Sequence, residues 1–145
     1  MVVHAQTGID TILWNWTQIT DGATQTANLD CGSASHATVR ILFGAEEGTN
    51  ATATVLSLLM ADDTVVTNFA TVTTNLAPDS ETTHMVRYEV DVKARGRYLR
   101  LSFTAGTATG NDVSSLAIAT LYGDREAPAT AAASSASTDD TVVIV

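Results

Sequence analysis

Hydrophobic and polar residues alternate with a period of two through most of the first 122 positions, and no helical repeat interrupts them. The pattern is clearest over residues 85–105, MVRYEVDVKARGRYLRLSFTA. Val86, Tyr88, Val90 and Val92 alternate with Arg87, Glu89, Asp91 and Lys93, which sends the first set to a buried sheet face and the second to solvent. After Ala94, Arg95 and Gly96, the residues Leu99, Leu101 and Phe103 alternate with Tyr98, Arg100 and Ser102. Gly96 is free to take a positive φ in the turn. The stretch therefore predicts a β-hairpin near the centre of a sheet.

Other segments follow the same rule. Residues 12–19 (ILWNWTQI) predict a strand on which Trp14 and Trp16, two apart, share a face. Both rings are expected in the core; the alternative is an exposed contact for a neighbouring subunit or a sugar ring. Thr20-Asp21-Gly22-Ala23 predicts a tight turn. Residues 24–30 predict a strand with Ala27 and Leu29 inward, and residues 36–44 one with Ala37, Val39, Ile41 and Phe43 inward. Residues 51–61 and 64–74 predict two further strands, separated by an Asp62-Asp63 turn. Pro78 breaks the connection 75–84. Residues 113–122 close the series, with Leu116, Ile118 and Tyr122 on one face.

About eight strands at ten-residue spacings predict an all-β protein, a single β-sandwich or jelly roll of antiparallel strands with extended N- and C-terminal arms. Its expected divisions are an N-terminal arm 1–11, a β-sandwich domain 12–125 and a low-complexity tail 126–145. The tail, EAPATAAASSASTDD, lacks large apolar residues but ends in the β-prone Thr141, Val142, Val143, Ile144 and Val145. A terminal strand of this kind pairs either with its own sheet or, by strand addition, with a neighbour.

Composition narrows the function. The 145 residues include 16 Asp and Glu against 7 Lys and Arg, a formal net charge of −9, which opposes nucleic acid as a partner. Five of the basic residues, Arg87, Lys93, Arg95, Arg97 and Arg100, fall in the expected hairpin. They are either solvated outer-face groups or a basic patch for an acidic partner surface. Cys31 is the single cysteine, so an intrachain disulfide and a thiolate metal site are excluded. No secretory leader or membrane-length apolar run is read in the chain.

Candidate chemistry is sparse. His4, His36 and His84 sit in no catalytic motif, and neither Gly-x-Ser-x-Gly, His-Glu-x-x-His nor a P-loop is present. Glu46, Glu47, Asp62, Asp63 and Asp112 lie in expected loops, where carboxylates either ligate a hard cation or simply stay solvated. No cofactor, metal or catalytic residue is expected.

The order of segments resembles a known family. A Trp-containing first strand runs into T-D-G-A, then a strand ending Leu29-Asp30-Cys31-Gly32; a later apolar strand ends Ala61-Asp62-Asp63; then come Arg97-Tyr98-Leu99-Arg100-Leu101 and the closing run from Ala117 to Pro128, AIATLYGDREAP. Over residues 12–128 the chain resembles the small β-sandwich head decoration, or cement, proteins of tailed bacteriophages. The resemblance implies a non-enzymatic virion protein, made in the host cytoplasm, that binds the major capsid protein on the outer shell as a homotrimer or other symmetric oligomer, with no nucleic acid or membrane partner. Trp14, Trp16, Arg87, Arg95, Arg97, Arg100, Val142, Val143, Ile144 and Val145 are the residues expected to meet partners. A carbohydrate-binding or tail receptor-binding β-sandwich is the competing expectation, with Trp14, Trp16 and Tyr98 available to stack on sugars.

Overall fold

The computed structural model describes residues 8–20, 22–44, 55–76, 84–106, 112–123 and 141–144. Their strands are β1 (Ile9–Ile19), β2 (Thr24–Asp30), β3 (His36–Phe43), β4 (Val55–Ala61), β5 (Ala70–Leu76), β6 (His84–Asp91), β7 (Tyr98–Thr104), β8 (Val113–Tyr122) and β9 (Thr141–Ile144). Two sheets form, in the orders β1-β8-β3-β6-β9 and β2-β7-β4-β5. The antiparallel pairs β1·β8, β2·β7, β3·β6 and β4·β5 are nested inside one another along the chain. One long antiparallel ribbon, bent at β4·β5 and rolled over itself, is a jelly roll.

This topology corrects the expected hairpin at 85–105. β6 pairs with β3, whereas β7 lies in the other sheet between β2 and β4. The connection is a crossover, and it runs beside the crossover from β2 to β3. Val92 N–H donates to Ser35 O at 3.0 Å on one side, and Cys31 N–H donates to Arg97 O at 2.9 Å on the other. Alternation survives such a crossover because it reports which face is buried and not which strand is adjacent. Gly96 does take φ +131°, and a Cβ there would lie 2.7 Å from the Ala61 carbonyl oxygen. The crossover therefore passes against the end of β4, where only glycine fits.

The inner faces carry the core. Ile41, Leu56, Leu58, Leu99, Leu101 and Tyr88 are fully buried, and the Phe43 and Phe103 rings meet between the sheets with centroids 5.1 Å apart. Truncating any of these aliphatic residues to alanine costs about 2–5 kcal/mol. On β8 the small residues Ser115, Ala117 and Ala119 face inward. Ala117 lies in register between Trp14 and Ile41, so its smallness makes room for both. Leu116, Ile118 and Tyr122, read from sequence as one face of a core strand, share the outer face instead.

Two boundaries differ from expectation. β1 begins at Ile9, inside the stretch expected as an arm, and residues 1–7 lie outside the described residues. Residues 64–69 are a bend with a 3₁₀ turn, Val66–Asn68, and β5 starts only at Ala70. The Asp63 carboxylate holds this turn, accepting from Val65 N–H at 2.9 Å and from Asn68 Nδ2 at 2.8 Å. At the other end, β9 lies parallel to β6, pairing Thr141 with Val86 and Ile144 with Glu89. Val145 lies outside the described residues.

Candidate functional site

The outer faces of the two sheets are chemically unlike. On the four-stranded sheet, Thr24 and Thr104 share a hydrogen bond at 2.9 Å and Ser57 and Thr74 one at 3.2 Å. Arg100 donates through Nε to Asn28 Oδ1 at 2.7 Å, and its guanidinium lies 4.3 Å from the centre of the Phe69 ring. Short hydroxyl side chains of this kind suit a hydrated β surface.

The five-stranded sheet carries apolar and ionic rows instead. Strand register aligns Ile12, Ile118, Arg40 and Arg87 in one row, and Leu116, Leu42 and Met85 in the next. Trp16 stands at the same end, its ring over Gly44, where a Cβ would lie 3.4 Å from Trp16 Cζ2. Ile12 is 62 % exposed and Trp16 52 % exposed. Single exposed apolar side chains are ordinary, but a contiguous set of them on an outer face marks a surface that something covers.

The two tryptophans part company because β1 is irregular. Register shifts fall between Ile12 and Trp14 and between Trp14 and Thr17. Each inserts one extra residue into β1, and each bulge resets which side chain points inward. Trp14 is consequently buried and donates from Nε1 to Ser115 Oγ at 3.0 Å, while Trp16 turns outward. The expectation that both rings enter the core holds for Trp14 alone.

Beside the apolar rows lies a charged row. Asp10, Thr120, Thr38 and Glu89 are aligned across the sheet, followed by Tyr122, His36 and Asp91. Glu89 is 4 % exposed and well supplied with partners. Its Oε2 accepts from Thr38 Oγ1 at 2.8 Å and lies 2.7 Å from His36 Nε2, while Oε1 faces the Arg87 guanidinium. Arg40 donates to Thr120 Oγ1 at 2.7 Å, and Thr120 in turn donates to Asp10 Oδ1 at 2.5 Å. A carboxylate buried on an outer face survives only with such partners. His36 and Thr38 both turn to the same Glu89 oxygen, so within this group the hydroxyl is not aligned on the imidazole as a nucleophile on its base.

The basic residues do not form one surface. Arg87 belongs to the charged face; Arg100 lies on the opposite sheet; Arg95 and Arg97 lie at the crossover end. Arg97 is engaged by Asp30 through two bonds, Nε to Oδ1 at 2.8 Å and Nη2 to Oδ2 at 2.7 Å. These bonds, helped by Gly32 N–H on Oδ1 at 2.8 Å, hold the Asp30 carboxyl below its ordinary range and raise Arg97. A single basic patch is thus replaced by three separate settings. Cys31 is buried, and desolvation, followed by the Asp30 charge, pushes its thiol up to about 11.

Sequence reasoning missed the Asp10–Thr120–Arg40 and His36–Thr38–Glu89 groups. Their members lie up to 110 residues apart, and only strand register brings them together. Among the described residues, no three His, Cys, Asp or Glu side chains converge as a metal site. Glu46 and Glu47 lie outside the described residues, and Asp112 accepts from Gln18 Nε2 at 3.1 Å.

No protein-family model matches the chain, and no curated protein matches it. Among solved structures, it is similar to the enzymatically active domain of tailspike protein 4 of bacteriophage CBA120, at 15 % identity with a TM-score of 0.46. That likeness covers 84 % of this chain and 20 % of the other, so the chain spans about a fifth of that protein's length.

Proposed function

We propose that the chain is a structural protein of a tailed-phage virion, a non-enzymatic decoration module that binds the outer capsid surface and reinforces it through subunit contacts. The observation that carries this reading is the apolar strip of Ile12, Trp16, Leu42, Met85, Leu116 and Ile118 on the outer face of the five-stranded sheet. The opposite sheet exposes Val55, and Val65 and Val66 in the bend before β5, among its hydroxyls, whereas this strip runs in register over adjoining strands and gains more by leaving water. Its partner in this reading is the major capsid protein, and self-association as a homotrimer or other symmetric oligomer multiplies weak contacts over the shell. The segment order described above supplies the phage assignment.

Purified virions test the proposal. Quantitative mass spectrometry is expected to find hundreds of copies of this chain, in a simple ratio to the shell protein. Ile12→Asp is expected to reduce that number strongly, and Thr26→Asp on the opposite sheet to leave it unchanged. Absence from virions overturns the reading, and a handful of copies moves the protein to the tail or baseplate.

The exposure of Trp16 favours one alternative, a sugar-binding module in which that ring stacks on a glycan face. A glycan that shifts Trp16 fluorescence and protects it from quenching would support this second function.

A further inference from the structure

The two edges of the five-stranded sheet are built differently. β1 is interrupted by two bulges, and there Asn15 bonds the chain locally: its Oδ1 accepts from Trp16 N–H at 2.9 Å, and its carbonyl accepts from Thr17 Oγ1 at 2.6 Å. Such an edge is a poor template for another strand. β6 is regular throughout its eight-residue pairing with β3, and β9 occupies its free side through four register pairs. β9 is also the one parallel partner among the described strands.

We propose that the β6 edge is a strand acceptor which, in a symmetric oligomer, takes residues 141–144 from a second copy of this chain. The inference rests on the self-association part of the proposed function and names the segment responsible. Reach supports it. Tyr122 shares a row with His36 and Asp91, and Thr141 starts opposite Val86, whose row holds Ile41 and Ala117. The gap is five residues along the strands and three strand spacings across them, about 22 Å in all. The 18 residues between Tyr122 and Thr141 can span about 60 Å when extended. The connection is therefore more than twice as long as its own edge requires, and none of residues 126–140 is a large apolar group that would spend this length on burial.

Recognition is indifferent to whose strand arrives. The pair consists of backbone hydrogen bonds in register, so own-chain and exchanged pairing present the same groups to β6. In a closed ring each copy gives one strand and receives one, which conserves every pair while linking the subunits.

Paired cysteines test the exchange. Arg87 and Val142 are opposite in register, at a spacing suited to a disulfide, and native Cys31 is buried away from them. A size-tagged Arg87→Cys chain is mixed with an untagged Val142→Cys chain, refolded together and oxidised. The expected product is a tagged–untagged covalent pair. A double variant that closes only within single chains, with no joined product from the mixed single variants, overturns the inference. Light scattering on the full chain and on a chain ending at residue 140 gives a second readout that needs no cysteine. The shortened chain is expected to have the lower mass. Equal masses of two oligomers would overturn strand exchange and leave self-association standing; a monomeric full chain would sink both.

Discussion

Tyr88 places its phenol oxygen inside the core, buried and with no hydrogen-bond partner among the described residues, and desolvation raises its ionisation well above the usual range. Leaving such a group unpaired costs roughly 1–3 kcal/mol. Tyr88→Phe is therefore expected to keep or raise stability, by up to about 1 kcal/mol in a denaturant titration. Asp30 behaves oppositely, because its partners favour the charged form. Its folded carboxyl titrates below its unfolded one, so its contribution is present above the ordinary carboxylate range and is lost as pH falls through the depressed value. Asp30→Asn is expected to lower the melting temperature slightly at neutral pH, with the difference closing in strong acid. A difference that grows on acidification would contradict the assignment.

At the scale of elements, the bulges of β1 make a direct optical prediction. In a Trp16→Phe variant the remaining Trp14 emission should be blue-shifted and resist acrylamide, whereas in Trp14→Phe the remaining Trp16 should be readily quenched. The crossover after β6 makes a mechanical one. Gly96→Ala has to adopt φ +131° and meet the Ala61 carbonyl, so a loss of about 1–3 kcal/mol is expected on thermal unfolding. Most strand positions were legible from alternation, though not the bend at 64–69, and the positive φ of Gly96 from a glycine placed in a turn. The placement of Trp16 was not, because a bulge leaves no mark on a period of two until its partner strand is known. The same limit hid the charged row: Thr38 and Glu89 are ordinary outward residues until β3 and β6 are set in register.

For the whole molecule, the nested pairing means that most stabilising contacts are distant in sequence, as in the bond between Trp14 and Ser115, 101 residues apart. Closing such loops precedes any gain from the contacts, so refolding is expected on the millisecond-to-second scale and not in microseconds. Stopped-flow fluorescence of Trp14 measures it directly. The all-β class was readable from strand spacing, but the roll was not, since two sheets with the same inward faces can be connected in many orders. Nesting also sets a schedule for synthesis. The β4·β5 pair is complete as soon as residue 76 is available, but β1 has no sheet neighbour until β8 follows it. At ribosomal speeds that is a wait of about 5–20 s for a strand carrying Ile9, Ile12 and Trp16. Among the described strands the nascent chain is thus most vulnerable at β1, and chaperone capture during translation should concentrate there.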